Sequence, residues 1–295
     1  MKNNHTLQYK LKEGNKKDYK VQTETLYKNP IVEAKYKTEY KIEFSYLKEG
    51  SFNSLIIKNR KYDLKNLSEK ETEIEKIMME INNFFPEIDY RISKKGEIIN
   101  IENLNKLKSV WYEKRSELRK KYLEKYEEIE YLINGIQESL NNPNLVNNYF
   151  KNYGINNIFF GELYGDLYIE DGIKNKKISI PEFIIYYPLP LKLNIYTKEI
   201  NVKNDEMLLE INAVIDETKL NRNEIEEMIK ANLPDEQIKG LIFELKYLQN
   251  ISFYLSTGLV RNSDLLTNIK IFNKNDKKEL FQNEIKLLLK EEKYE

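Results

Sequence analysis

The chain has 295 residues, of which 40% are hydrophobic and 12% aromatic, so it is long and apolar enough to bury a sizeable core. Basic and acidic residues number 48 each, which leaves no net positive field to concentrate nucleic acid or an anionic membrane. The absence of cysteine excludes disulfides, thiolate nucleophiles and cysteine-containing metal sites. A single histidine, His5, excludes a histidine-dependent triad or a multi-histidine metal site within one chain.

The N-terminal stretch has no apolar core of the length that a signal peptide needs. No other stretch approaches the roughly 18 uninterrupted apolar residues of a membrane span. These features predict a soluble, cytoplasmic protein, although they do not decide whether an export signal was removed from a precursor. His5 is expected to lie in a frayed terminal segment without a functional role.

Alternating apolar residues predict antiparallel strands in the first sixty positions. Runs with a period of two, rich in aromatic and β-branched residues, occur at 7–11, 19–23, 36–46 and 55–57. The tetrapeptide LKEG occurs at 11–14 and again at 47–50, and each copy is predicted to turn at its glycine.

A helix is predicted to follow from Ser68, where Ser68 and Glu71 form a capping-box pattern, until Pro86 ends the run. The next stretch, 90–101, has two apolar runs separated by Lys-Lys-Gly. A phosphate-binding loop needs several glycines, and here there is only Gly96, so a β-hairpin is the favoured interpretation.

The longest helical pattern covers 102–140, with apolar residues spaced by threes, fours and sevens and with interleaved charges on its other faces. An unbroken helix there would extend about 55 Å, from a rise of roughly 1.5 Å per residue. A break is therefore expected near Gly135. Pro143 separates this pattern from a shorter helix at about 145–153.

Strand patterns return in the second half of the chain. Short strands are predicted at 158–163, 167–169 and 178–180 around an Asp171-Gly172 turn, and further strands at 191–195 and 207–215. A small helix with Asn221 as its cap runs to Pro234. The last third is predicted to contain three or more antiparallel strands. The segment 278–290 suits a helix and a strand equally well.

These elements predict one α+β domain over residues 1–295, in which amphipathic helices cover an antiparallel sheet. A subdivision into an N-terminal sheet with a helix (1–101), a helical segment (102–153) and a C-terminal sheet (154–295) is compatible with the pattern. The order of elements and the glycine turns in ISKKGEII and LSTGLV resemble the half-barrel lipoprotein-carrier proteins and related uncharacterised bacterial families. The resemblance implies a curved, half-barrel-like sheet that wraps around helices. The missing export signal departs from that family, and no functional residue is carried over.

Paired carboxylates are the one catalytic device that this composition allows. Asp166, Glu170 and Asp171 lie together in GDLYIEDG, where an exposed turn is favoured over a calcium site or a hydrolase centre. We therefore predict no catalytic, cofactor-binding or metal-binding residue and no cofactor.

The segment FIIYYPLPLKL at 183–193 surrounds two prolines with aromatic and aliphatic residues. Because a Pro-X-Pro unit does not fit a central strand, the segment is expected to be an edge, a crossover or an extended docking segment. The candidates for partner binding are Tyr186, Tyr187, Pro188 and Pro190. A buried crossover that completes the core is the competing interpretation.

The leading functional prediction is a non-enzymatic protein-binding or assembly protein of a bacterial cytoplasm, such as a secretion-system accessory or an immunity protein. It rests on the absent chemistry and on long strands whose edges accept a partner. The alternative is a carrier of an apolar small molecule or lipid in a pocket between sheet and helices. A protein partner is expected, an apolar ligand is allowed, and neither nucleic acid nor a membrane span is expected.

Overall fold

The computed structural model describes residues 2–12, 14, 16–30, 33–49, 52–66, 77, 80–81, 83–124, 128–151, 156–184, 187–233 and 238–292. The strands are β1 (Asn4–Thr6), β2 (Lys16–Lys28), β3 (Glu33–Glu49), β4 (Phe52–Asn66), β5 (Glu87–Ile92), β6 (Ile98–Ile101), β7 (Leu167–Ile169), β8 (Ile173–Ile184), β9 (Tyr187–Asn201), β10 (Glu206–Ile215), β11 (Leu241–Tyr254), β12 (Val260–Asn273) and β13 (Glu279–Glu291). The helices are α1 (Leu104–Tyr122), α2 (Glu128–Asn141), α3 (Pro143–Lys151) and α4 (Arg222–Asn232). A 3-10 turn, Asn156–Ile158, follows α3.

Eleven of the described strands form one antiparallel sheet in the order β6-β5-β4-β3-β2-β13-β12-β11-β10-β9-β8. Neighbours in the sheet are neighbours in the chain except at β2 and β13, whose pairing runs from Gln282 opposite Lys28 to Glu291 opposite Tyr19. The sheet is curved and does not close, so β6 and β8 form its two edges. The predicted α+β class, a curved antiparallel sheet covered by amphipathic helices, is confirmed.

One face of the sheet carries most of the core. Directly opposed residues share a face, and the pairs Leu209–Ile251 and Val21–Tyr40 lie on the same side as Phe44. We call this side the inner face. All five of these side chains are buried, because alternate positions along each strand turn towards the covering layer.

An antiparallel pair of helices, α1 and α2, belongs to that covering layer. Arg119 of α1 forms a bidentate ion pair with Glu130 of α2, and Arg115 donates to Gln137 at 2.7 Å. Trp111 on the buried stripe of α1 is fully buried, and its ring lies near those of two phenylalanines, Phe84 and Phe85. Burial of this apolar stripe stabilises both helices more than their intrinsic propensity does.

The helix break lies earlier than predicted. The chain leaves the first helix after Tyr122 and enters the second at Glu128, whereas Gly135 is an interior residue of α2. The physical reason is that a straight 102–140 helix would carry one of its apolar stripes past the sheet. Reversal of the chain lets Trp111 and Ile133 both become buried. The predicted helix from Ser68 falls largely on residues 67–76, 78–79 and 82, which lie outside the described residues.

The run 158–163 is not a strand as predicted. It continues from the 3-10 turn through a series of turns, in which the consecutive residues Phe159 and Phe160 are both buried. Phe159 packs against Tyr19 and Phe44, whereas Phe160 packs against Tyr90. A strand cannot bury two consecutive side chains in one face, because successive side chains point to opposite sides.

Two other segments are settled by their backbone partners. The ambiguous segment 278–290 is strand β13, which pairs with β12 and β2. The predicted strand at 7–11 is an extended segment outside the sheet ladders, although Leu7 and Tyr9 are buried.

His5 does not lie in a frayed terminus. It belongs to β1 and pairs with Tyr168 of β7, and partial burial lowers the pKa of the imidazole. The predicted β-hairpin at 90–101 is confirmed as β5 and β6, with Gly96 at a φ of +73° in the turn. The Asp171-Gly172 turn and the Asn221 helix cap are confirmed as well.

Candidate ligand-binding cavity

A polar cavity of about 370 Å³ lies between the two edges of the sheet. Ile98 of edge strand β6 and Lys176 of edge strand β8 both line it. The remaining walls come from the β5–β6 turn, from α3 and from the loop after the 3-10 turn. We call this space the mouth cavity, and its lining residues are Lys95, Gly96, Glu97, Ile98, Asn147, Asn148, Lys151, Gly161, Glu162, Tyr164 and Lys176.

A second cavity of about 190 Å³, lined mostly by aliphatic and aromatic residues, lies against the inner face of β8 to β12. Its wall includes Ile178, Ile180, Tyr247 and Leu265, which are only half-buried in the folded chain. We call this space the inner cavity. It shares three lining residues with the mouth cavity, Lys151, Glu162 and Tyr164, so the two spaces adjoin.

Tyr164 stands in the wall common to both cavities. Its ring stacks on Tyr9 with centroids 4.4 Å apart and meets Phe253 edge-on at 5.8 Å. Its hydroxyl donates to the carbonyl oxygen of Gly258 at 2.9 Å, and burial raises the pKa of Tyr164 well above its ordinary value. A Cβ on Gly96 would lie 3.0 Å from the Tyr164 ring, so this glycine leaves room for the ring. The ring is therefore fixed and uncharged.

Residues 7–10 close the same end of the sheet. The amide of Tyr9 donates to the carbonyl of Lys94 in the β5–β6 turn at 3.0 Å. The amide of Lys10 donates to the carbonyl of Thr257 in the β11–β12 turn at 2.9 Å. Through residues 7–10, these two hydrogen bonds connect turns from opposite halves of the sheet.

Three lysines and two glutamates line the mouth cavity, and their ion pairs differ in length. The Lys176 ammonium lies 2.7 Å from Asp166 just outside the cavity, whereas the Lys151 ammonium lies 3.7 Å from Glu162. No carboxylate in the described part of the chain lies within 4.0 Å of the Lys95 ammonium. The mouth thus contains one lysine, Lys95, that forms no ion pair with a described acid.

None of the three described partner-binding candidates, Tyr187, Pro188 and Pro190, lines either cavity. Tyr186 lies outside the described residues, Tyr187 and Pro190 are buried, and Pro188 is exposed. The hydroxyl of Tyr187 accepts a hydrogen bond from the backbone N–H of Asn221 at 2.9 Å and so positions the start of α4. A partner-binding role for these four residues remains a prediction.

The two prolines lie within β9, which pairs with both β8 and β10. Pro190 is opposite Ser179 of β8, but pairing with β10 begins only at Leu191. The carbonyl of Pro190 accepts the amide of Asp216 at 2.9 Å. Because N and C=O of one strand residue face the same side, the proline nitrogen points past the end of β10, where no ladder needs a donor. The segment is a local edge within an interior strand.

The carboxylate of Asp216 is 1% exposed and is bound at this strand end. The hydroxyl of Thr218 donates to it at 2.6 Å, and the ammonium groups of Lys192 and Lys177 lie at 3.0 and 3.3 Å. These contacts lower the pKa of Asp216 well below its ordinary value, and the hydrogen bond from Thr218 has the largest effect. The cluster stabilises the charged form, so we interpret it as a structural ion cluster.

The acids of GDLYIEDG do not converge. Asp166 contacts Lys176, Glu170 accepts the amide of Asn3 at 3.3 Å, and Asp171 lies 3.6 Å from Lys2. Within the described residues, no three histidine, cysteine or acidic side chains are grouped as a metal site requires.

The cavities were not predicted from the sequence, although the two glycines of the segment FFGELYG were a local sign of them. Gly161 and Gly165 adopt φ values of +104° and +86°. A Cβ on Gly161 would meet the Lys151 ammonium at 2.8 Å, and one on Gly165 would meet the Lys95 stem at 3.1 Å. Both glycines therefore leave space for a lysine of the mouth.

No known family model and no curated protein sequence matches this chain. Among solved structures, it is similar to a chain described as "lipid-protein interactions in lipovitellin", with a TM-score of 0.45 and 10% sequence identity. The match covers 96% of this chain and 25% of that chain, so this chain spans about a quarter of the length of its structural neighbour. Across the described residues, no helix is both long and apolar enough to cross a membrane. The resemblance to half-barrel lipoprotein carriers remains a prediction.

Proposed function

We propose that the protein binds and carries an apolar small molecule, without performing chemistry on it. The observation that carries the proposal is the inner cavity, a space of about 190 Å³ on the inner face of the sheet that is lined mostly by aliphatic and aromatic residues. An engineered apolar cavity of about 150 Å³ already binds benzene. The inner cavity therefore has room for a hydrocarbon group slightly larger than six carbons.

Two polar side chains in the wall of the inner cavity, those of Tyr247 and Gln249, are hydrogen-bonded. The Tyr247 hydroxyl donates to Gln249 at 3.2 Å, and the Gln249 amide donates to the Ser263 hydroxyl at 3.1 Å. Burial raises the pKa of Tyr247 to about 12, so the phenol is neutral at physiological pH. The aliphatic and aromatic part of the wall, which these hydrogen bonds leave uncharged, favours a hydrocarbon group.

Ile178→Trp should weaken binding of 1-octanol at least tenfold. Ile178 lines the inner cavity and lies opposite Leu191 on the inner face, so an indole at this position fills space that the ligand needs. Isothermal titration calorimetry with 1-octanol against the wild-type protein and the variant measures the effect.

Ile173→Trp is the matched control. It lies in the same strand but on the opposite face, with 60% of the side chain exposed, and does not line either cavity. Its affinity for 1-octanol should stay within twofold of wild type. Absence of saturable binding of any alcohol from six to twelve carbons by the wild-type protein would contradict the proposal.

A second candidate function is protein binding, which the sequence predicts in general terms, and the edge strand β8 offers a surface for it. This strand has 12 residues and pairs on one side only, with β9. An exposed edge of that length can accept an added strand from a partner. The backbone N and C=O of Pro190 point away from β8, so the backbone N–H and C=O of its opposed residue Ser179 point away from β9, towards the open edge. Asn175, four residues earlier in the same strand, has the same backbone orientation.

Asn175→Pro should abolish partner capture by strand addition, since it removes an outward-facing N–H without removing a β8–β9 hydrogen bond. Quantitative comparison of proteins that co-purify from native cells with wild type and with the variant measures the loss. Ile178→Trp serves as the control because it leaves the outward amides in place. Partners that are lost with Ile178→Trp but retained by Asn175→Pro would contradict the edge as the docking site.

A further inference from the structure

The two cavities differ in chemistry and share a wall, which is the arrangement that an amphiphile requires. Lys151, Glu162 and Tyr164 line both spaces, so a molecule in the inner cavity lies beside the charged groups of the mouth cavity. The mouth cavity, at about 370 Å³, falls within the usual range of about 300 to 1,000 Å³ for ligand sites.

The loop backbone is shaped around the mouth lysines. The Lys151 ammonium lies over Gly161, and the Lys95 stem lies over Gly165, at positions where a Cβ would come within 2.8 and 3.1 Å. Both glycines have positive φ. Side chains at these positions would displace the lysines, so the loop keeps two cations beside the passage.

The ion pairs leave these cations available to an anion. The 3.7 Å separation between Lys151 and Glu162 is longer than a charge-assisted hydrogen bond of about 2.7–2.9 Å. The Lys95 ammonium has no acid within 4.0 Å among the described residues. A carboxylate or phosphate in the mouth would give both lysines a close partner.

We propose that the ligand is a single-chain amphiphile with an anionic head group. Its chain occupies the inner cavity and its head lies between Lys95 and Lys151 in the mouth cavity. This inference rests on the proposed function, because it assigns the polar end of the same ligand. Each methylene buried contributes about a fourfold gain in affinity, and the inner cavity limits that gain to about eight carbons.

The test compares ligands that share one chain and differ in the head: octanoate, octyl phosphate, 1-octanol and octylammonium. Calorimetric titrations at pH 7 and low ionic strength should show octanoate or octyl phosphate binding at least tenfold more tightly than 1-octanol. The relative affinities of octanoate and octyl phosphate identify which anion the mouth prefers. Added salt should reduce the preference over 1-octanol, because charges near the surface are screened.

The variant Lys95→Gln with Lys151→Gln should reduce the preference for octanoate or octyl phosphate over 1-octanol to about twofold. Lys94→Gln is the matched control, since Lys94 occupies the same turn but does not line the mouth cavity. Glu162→Gln should have the opposite effect and tighten octanoate binding, because it removes the acid that competes for Lys151.

The outcomes separate the two proposals. Binding of 1-octanol without any preference for octanoate or octyl phosphate would overturn the head-group inference and leave the carrier function intact. Tighter binding of octylammonium than of octanoate would overturn it as well. Failure of every eight-carbon ligand to bind would overturn both.

Discussion

Gly258→Ala should lower the free energy of unfolding by about 3 kcal/mol. Gly258 has a φ of +73°, a conformation that costs other residues about 1–2 kcal/mol. A Cβ there would also lie 2.1 Å from the carbonyl oxygen of Gln8, a backbone atom that cannot move without shifting residues 7–10. Such overpacking costs a further 1–3 kcal/mol. Urea unfolding followed by fluorescence measures the loss.

Gly14→Ala is the control that separates the cost of the positive φ from the cost of the steric clash. Gly14 has a comparable φ of +83°, but no atom lies within 4 Å of the position that its Cβ would take. This control should lose only about 1 kcal/mol, which is the backbone cost alone. Equal losses for the two variants would show that the close approach of the β11–β12 turn to Gln8 does not contribute to stability.

Trp111→Ala should cost about 3–5 kcal/mol of unfolding free energy, the usual range for truncation of a large buried aromatic residue. Trp111 is fully buried beside Phe84 and Phe85, at 6.4 Å from each ring centroid, so its loss leaves a cavity between α1 and the sheet. Thermal or urea unfolding followed by far-ultraviolet circular dichroism measures the change, because the chain has only one tryptophan.

Trp111→Phe should cost much less, about 1–2 kcal/mol. The indole N–H is buried and has no hydrogen-bond partner among the described residues, so phenylalanine removes an unsatisfied donor while keeping most of the ring. A loss as large as that of the alanine variant would indicate that the indole N–H makes a bond that stabilises the fold.

The strands were predictable where burial follows a simple alternation. In β3 and β10 one face is mostly buried and the other is not, so apolar and polar residues alternate in the sequence. The hairpin of β5 and β6 was predictable because one glycine is insufficient for a phosphate loop. The segment 278–290 was not, since Phe281, Ile285 and Leu289 fit both periods and only pairing with β2 and β12 selects the strand.

The helix break and the cavities depend on distant contacts that local pattern does not contain. Gly135 has the weakest helix propensity in the predicted helix 102–140, but the position of the sheet determines where the chain reverses. The mouth cavity is lined by Lys95, Lys151 and Lys176, which lie 56 and then 25 positions apart in the chain. Their proximity follows from the meeting of the two sheet edges, and two glycines in FFGELYG were its one local sign.

The pairing of β13 with β2 joins positions more than 250 residues apart, as Gln282 opposite Lys28 illustrates. Contacts of such long sequence separation slow folding, because a large loop must close before they form. During synthesis, β2 leaves the ribosome with β3 on one side and an unpaired edge on the other until β13 follows. The nascent chain therefore passes through a stage in which this edge is prone to aggregation, and a chaperone that shields β2 should raise the yield of native protein.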